Sequence, residues 1–363
     1  MIYLDYQATT PLAPEAREAM LRWLEGPGEG DGFANPSSTH KGGRAAAAAV
    51  EVARDQVAAL LPKGGRVFFT SGATEALNWA LFRGAEVMPG GVAGLSIEHA
   101  ASLQCLERLN ATILPVDDAG LAFPPDDASI PENGIVAAML VNNEVGMVQP
   151  VADFAAVAHA KNSLLLCDAV QGFGRVAIPD AVDLIAVSAH KIHGPKGVGA
   201  LWVKDGVDLP PLMFGGAQEQ GMRSGTVSPA LCAGFGAAAA LAAERFDTDA
   251  EHVERLWSLA RDMLPEWTLN GAENPRYHGN LNVRREGVNG LRLMSDAREI
   301  AFSLGSACGS GSGKVSHVLR AMGVSEPDAR ASIRLGWGRY TSERELRDGL
   351  IAIKDAARLQ GVN

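Results

Sequence analysis

The sequence predicts an α/β protein, a large domain with a mostly parallel sheet flanked by helices plus a smaller α+β C-terminal domain. From about Gly65 to Val203, short β-rich apolar runs alternate with amphipathic stretches, the pattern of a parallel sheet covered by helices. At 363 residues the chain is long for one core, given roughly 150 residues per domain. Hydrophobic residues make up 47% and charged residues 20%, an ordinary globular composition that is neither disordered nor fibrous.

Arg44 to Leu61 reads as a long helix, with Val50, Val57, Leu60 and Leu61 at helical spacings and Glu51, Arg54 and Asp55 between them. The expected strands are Val67 to Thr70, Gly94 to Ile97, Thr112 to Val116, Ile135 to Val141, Leu164 to Cys167, Leu184 to Val187 and Gly199 to Val203. Amphipathic stretches such as Val151 to Lys161 connect them. An alanine-rich helix around Gly234 to Glu244 ends the first region, with the boundary near residue 247. Beyond it, Leu256 to Leu264 reads as helix, Asn280 to Val283 as strand and Glu343 to Leu359 as a closing helix.

Charge and cysteine usage limit the partners. Lys plus Arg total 32 against 42 Asp plus Glu, and a net charge of −10 argues against nucleic acid or an anionic membrane as the main partner. The start, Met1-Ile2-Tyr3-Leu4-Asp5, has no secretory pattern, and no stretch reaches the ~18 apolar residues of a membrane span. The expected location is therefore cytoplasmic. Of the four cysteines, Cys105, Cys167 and Cys232 lie in apolar surroundings and read as packed, reduced thiols. Cys308 differs, because it lies in Ser303-Leu-Gly-Ser-Ala-Cys-Gly-Ser-Gly-Ser-Gly313, where little could pack around it.

In an open α/β sheet, ligands gather at the carboxyl ends of strands, so the polar residues there form one set. Ser71-Gly72-Ala73-Thr74-Glu75 opens a helix, whose free N–H groups and dipole favour a phosphate. The later strand ends contribute Glu98 and His99, then Asn142-Asn143-Glu144, then Asp168 and Gln171, then Ser188-Ala189-His190-Lys191. His190 and His193 lack the further ligands a metal needs, so no metal is expected. Lys191, directly after an apolar strand and before a Gly-Pro-Lys-Gly turn, would lie at the mouth of the sheet. Partly desolvated there, it would have a lowered pKa and could form a Schiff base. A phosphate site, a carboxylate, a histidine and such a lysine together match the needs of pyridoxal phosphate.

The stretch Val182-Asp-Leu-Ile-Ala-Val-Ser-Ala-His-Lys-Ile-His-Gly-Pro-Lys-Gly-Val-Gly-Ala-Leu201 resembles the pyridoxal-lysine signature of the class V aminotransferase-like enzymes, fold type I pyridoxal-phosphate-dependent transferases. Narrower motifs resemble the cysteine desulfurases. These are Tyr3-Leu-Asp-Tyr-Gln-Ala-Thr-Thr-Pro11, Asn35-Pro-Ser-Ser-Thr-His40, Ser71-Gly-Ala-Thr-Glu75, Asn142-Asn-Glu-Val-Gly146, Gly215-Gly-Ala-Gln-Glu-Gln-Gly-Met-Arg-Ser-Gly-Thr226, Gly305-Ser-Ala-Cys308 and Ser332-Ile-Arg334. They run in order from residue 3 to about 340. The number of residues between Cys308 and Ser316-His-Val-Leu319 resembles the long-loop branch that serves iron–sulfur assembly.

The resemblance implies a large cofactor-binding domain over residues 12–247, and a small domain of residues 1–11 and 248–363 that carries Cys308 and Arg334. It implies that Lys191 holds pyridoxal 5'-phosphate covalently and moves protons, and that Asp168 pairs with the ring nitrogen. His99 would stack on the ring and act as acid or base, and Gln171 would bond the phenolic oxygen. Ala73, Thr74, Ser188 and His190, with Ala189 beside them, would form the phosphate side. Thr226 would complete it from the other subunit of a homodimer. Arg334 would clamp the carboxylate of L-cysteine in a bidentate pair, helped by Asn143, which also borders the cofactor, and by Asn35. Cys308, on a mobile Gly/Ser loop, would take the substrate sulfur as a persulfide, leaving alanine, and pass it to a sulfur acceptor or iron–sulfur scaffold protein.

The chain departs from the family pattern in places. It stops at Asn363, where housekeeping members continue into a tail used in scaffold docking, so the scaffold partner is left open. Gln218 and Gln220 stand where relatives often have His and Arg, and Trp337 replaces a smaller aliphatic residue. The alternatives to a desulfurase are a selenocysteine lyase or a class V aminotransferase, in which Cys308 is dispensable, and a non-catalytic scaffold subunit.

Overall fold

The computed structural model describes residues 1–26, 28–124, 129–304 and 315–362. The first part of the chain runs through β1 (Ile2–Tyr3), α1 (Pro14–Leu21), α2 (Lys41–Ala58), β2 (Gly65–Thr70), α3 (Ala73–Val87), β3 (Val92–Leu95), α4 (Ala100–Arg108), β4 (Thr112–Leu114) and β5 (Ile135–Met139). It continues through α5 (Val151–Ala160), β6 (Leu164–Asp168), β7 (Leu184–Ser188), β8 (Gly199–Lys204), α6 (Pro229–Glu244) and α7 (Phe246–Met263). The remainder is β9 (Thr268–Leu269), β10 (Asn280–Arg284), α8 (Gly290–Asp296), β11 (Ile300–Ala301), β12 (Ser303–Leu304), α9 (His317–Ala321), α10 (Glu326–Arg330), β13 (Ser332–Gly336) and α11 (Glu343–Arg358).

The large sheet has the strand order β2-β8-β7-β6-β5-β3-β4, and all seven expected strands are in it. Its inner strands are apolar because both faces are covered, while the edge strands β2 and β4 keep exposed residues such as Arg66 and Thr112. In β5, Ile135 and Ala137 pack with Trp79, Leu81 and Leu106 of α3 and α4. Val136 and Ala138 point the other way, into a core with Val50, Phe154 and Phe235 of α2, α5 and α6. The sheet departs from the all-parallel pattern at β8, which runs antiparallel to both β2 and β7. The connection from β7 to β8 spans only residues 189–198, too short for the helical crossover that a parallel return requires.

Helix ends follow local chemistry. The expected Arg44 start moves back to Lys41 because His40 caps the helix, its Nδ1 accepting from Gly43 N at 3.2 Å. Ser342 and Glu345 form a reciprocal capping box at α11. A second apolar core joins Leu281, Val283, Ile333 and Leu335 of the β12-β13-β10-β9 sheet with Trp257 of α7 and Leu346, Leu350 and Ile353 of α11. Leu4 belongs to this core, while Val318, Leu319 and Ala329 of α9 and α10 pack on the first. Trp337 is fully buried in the second core. Cys105, Cys167 and Cys232 are free and buried, as expected of packed thiols.

Candidate active site

His99, Asp168, Ser188 and Lys191 reach the site from the ends of strands, and Ala73 and Thr74 from the start of α3. The parallel strands β3, β5, β6 and β7 deliver their carboxyl ends to one edge of the sheet, and the N-terminal segment and β13 close it from the opposite side. Between them lies a cavity of about 830 Å³. Its wall includes Ala73, Thr74, His99, Asn143, Asp168, Gln171, Ser188, His190, Lys191 and Arg334. Ala189 is fully buried in the first core, and neither it nor the exposed Asn35 and Thr226 lines the cavity. Cys308 lies outside the described residues.

Beside the sheet, α3 starts at Gly72 with no side-chain cap, so its first N–H groups are unsatisfied by side chains and free to meet an anion. Glu75 does not fill that end: it accepts from Ser71 N at 2.9 Å and pairs with Arg223 at 2.7 Å. The approach is close. A Cβ on Gly199, the first residue of β8, would lie 2.7 Å from Gly72 Cα. On the same side, His190 Nδ1 lies 3.1 Å from Thr9 Oγ1, and burial pushes the imidazole down to about 4.

Asp168, the last residue of β6, is 5% exposed, and its Oδ1 accepts from Val170 N at 3.0 Å. Burial raises its pKa, opposed by His99 and Lys191. Glu98 is buried beside it, accepting from Met139 N at 2.6 Å, and is pushed up to about 8 by burial and then by Asp168. His99 caps α4, with Nδ1 accepting from Ala101 N at 3.1 Å. That bond leaves the proton of the neutral ring on Nε2. Desolvation in the cavity wall lowers the pKa of the ring and so favours this neutral form.

Lys191 sits on the 3₁₀ turn after β7. Its Nζ donates to the carbonyls of Gln7 and, at 2.9 Å, Ala8. Burial, then the Arg334 and Arg175 charges, hold it down to about 7, so the neutral amine is a major species near neutral pH. Gln171 Nε2 shares the Gln7 carbonyl at 2.9 Å. Arg334, on β13, donates to Asn143 O at 3.1 Å, Asp5 Oδ1 at 2.8 Å and Ser303 Oγ at 3.0 Å. Asp5, Gln7, Lys196, Ser303 and His317 also line the site and had been given no role by their sequence. Asp5 and Gln7 could have been found in the Tyr3 to Pro11 motif, Lys196 in the Gly-Pro-Lys-Gly turn and His317 in Ser316-His-Val-Leu319.

The loop that leads to Thr226 is anchored on the outside of the sheet. Glu219 accepts from Arg54 at 2.6 Å and from Phe69 N at 2.7 Å. Ala217, Glu219 and Gln220 all have positive φ there, a left-handed conformation these contacts maintain. Gln218 Oε1 accepts from Gly225 N at 2.9 Å and closes the loop next to Thr226.

An amine of lowered pKa, a buried acid and an open helix end in one cavity suit an amine-linked, phosphate-bearing cofactor acting on an amino acid. The comparisons with known proteins agree. The family described as aminotransferase class-V matches residues 2–348. The chain is 40% identical over 367 residues to the cysteine desulfurase IscS of Rickettsia akari, covering 95% of this chain and 88% of that one. It is also 40% identical to the mitochondrial cysteine desulfurase of Saccharomyces cerevisiae, covering 98% of this chain and 74% of that protein. A solved NifS-like protein superposes with a TM-score of 0.89 at 31% identity, covering 99% of each chain. Seven co-linear motifs, a full-length fold match and relatives at this identity place the chain in the aminotransferase class-V family, among its cysteine desulfurases.

Proposed function

We propose that the protein uses pyridoxal 5'-phosphate to convert L-cysteine to L-alanine, leaving the sulfur as a persulfide on Cys308 for an acceptor protein in iron–sulfur cluster assembly. The observation that carries this reading is the convergence of Lys191, held down to about 7, with buried Asp168 and the uncapped start of α3 on one cavity. The donor set fits the cofactor. Ala73, Thr74, Ser188 and His190 would hold its phosphate, Asp168 its ring nitrogen, Gln171 its phenolic oxygen and His99 its ring face. Asn143 would border it. When bound, the cofactor supplies an electron sink for the substrate amine.

The chain's own residues supply the rest. Lys191 Nζ would hold the cofactor covalently and, as a free amine held down to about 7, could take and return a proton near neutral pH. His99, in the cavity wall with its proton on Nε2, would be a second proton carrier. Arg334 and Asn143 would orient the substrate carboxylate, with Asn35 assigned to the same role by the family motif although it does not line the cavity. In the net reaction the carbon–sulfur bond of cysteine breaks and a sulfur–sulfur bond to Cys308 forms. The thiol proton of Cys308 balances the hydrogen gained by the alanine methyl group.

The chain is read as a large domain, residues 12–247, and a small one, residues 1–11 and 248–363, a division supported by two separate apolar cores. Exposed Thr226, anchored through its loop yet outside the cavity, supports a homodimer in which it serves the partner's site. Free Cys105, Cys167 and Cys232 support a reducing compartment, here the cytoplasm. Among the described residues no helix is long and apolar enough to cross a membrane. Purified protein given L-cysteine, reductant and no keto acid should release alanine and sulfide in equal amounts. A requirement for a keto acid would make it an aminotransferase, and activity confined to selenocysteine would make it a lyase.

A further inference from the structure

Arg334 already holds a carboxylate. A guanidinium offers five N–H donors, and a bidentate carboxylate needs two that lie parallel. Both Nη2 hydrogens are engaged, by Asp5 Oδ1 at 2.8 Å and Ser303 Oγ at 3.0 Å, and one Nη1 hydrogen by Asn143 O at 3.1 Å. Among the described residues Nε is buried without a partner. These contacts leave the second Nη1 hydrogen to an incoming ligand, too few for a bidentate pair.

Asp5 is placed by backbone, not by this ion pair. It forms a parallel bridge with Gly336, the last residue of β13, and Gly336 N donates to Leu4 O at 2.8 Å. Ser303 is in register with Arg334 and donates to the same Asp5 oxygen at 2.9 Å. Strand pairing thus brings Asp5, Ser303 and Arg334 together in the cavity wall. The pair is partly screened, with side chains 18% and 12% exposed.

We propose that Asp5 is a place-holding carboxylate, which occupies the donors of Arg334 until the α-carboxylate of an amino acid displaces it, and thereby sets the affinity and selectivity of the site for carboxylates. Asp5 keeps the half-buried guanidinium from standing unpaired. It also repels any ligand that brings a carboxylate without an amine to engage elsewhere in the cavity. Entry then requires a ligand held at a second point, as an amino acid is. The proposal rests on Arg334 being the substrate clamp.

The test is a calorimetric titration of the cofactor-loaded protein with L-alanine, with propionate, and with ethylamine, which lacks the carboxylate. Asp5→Asn keeps shape and an acceptor but removes the charge. It should tighten L-alanine and propionate by roughly five- to ten-fold, with propionate gaining the more, and give ethylamine no gain, because the lost charge attracts an ammonium. Asp5→Ser, also uncharged, should do the same and serves if the first variant is poorly folded. Arg334→Leu should erase the preference for L-alanine over ethylamine, and adding Asp5→Asn to it should change nothing further. Unchanged or weaker L-alanine binding in both Asp5 variants, with the Arg334→Leu effect intact, would overturn the place-holder role alone. A preference for L-alanine that survives Arg334→Leu would overturn the clamp itself.

Discussion

Replacing Glu98 by Gln should change how stability depends on pH. The Glu98 side chain is 1% exposed, and its Oε1 accepts from Met139 N at 2.6 Å. Met139 is aligned with Asp168 in the sheet, so a second carboxyl stands one strand away. Burial first, and Asp168 second, raise Glu98 from 4.5 to about 8. Between those values the folded protein holds a proton that the unfolded chain has lost. Stability is therefore full below about 4.5 and falls as pH rises, by about 1.4 kcal/mol per pH unit. Over a window about three and a half units wide, the loss is on the order of 5 kcal/mol at most. Gln keeps an acceptor for Met139 N and cannot ionise, so this loss is absent from the variant. Urea denaturation of the cofactor-free protein at about pH 5 and about pH 9 measures both. The stability of Glu98→Gln relative to wild type should rise by several kcal/mol between them. Parallel pH profiles for the two proteins would refute the neutral, buried acid.

Lys191→Ala should abolish turnover and still bind cofactor, because the phosphate and ring contacts do not depend on Nζ; wild-type-like turnover would exclude Lys191 as the linking amine. Arg54→Met leaves Glu219, 7% exposed, without its counter-charge and should cost about 3–5 kcal/mol in urea denaturation. Adding Glu219→Leu should recover all but the ~1–3 kcal/mol of an unpaired Phe69 N–H; a double variant no more stable than the single would contradict this. In sedimentation, a homodimer sharing Thr226 should be seen with cofactor bound; a monomer that binds cofactor tightly would contradict the shared site.

The large sheet was legible because its strands are buried on both faces and read as apolar runs, as in Ile135–Met139, where every residue is buried. The direction of β8 was not. A central strand looks the same in either direction, and only the short 189–198 connection fixes it. The strand-end residues His99, Asp168, Gln171, Ser188, His190 and Lys191 were legible because parallel strands collect their carboxyl ends at one edge. Asp5, Gln7, Ser303 and His317 come from remote parts of the chain, and only tertiary packing brings them to the same wall. The exchange at Trp337 is met by the second core, where the indole is fully buried, away from the cavity wall. Nothing in the structure explains why Gln220 stands where relatives have Arg.

The claim on which the function rests is that sulfur leaves cysteine for Cys308. Mass spectrometry of the protein after exposure to L-cysteine without reductant reads this directly. One additional sulfur should be found on the peptide containing Cys308, and Cys308→Ser should show none while still responding spectrally to cysteine. Sulfur on Cys105, Cys167 or Cys232 instead, or full alanine release by Cys308→Ser, would contradict the persulfide mechanism.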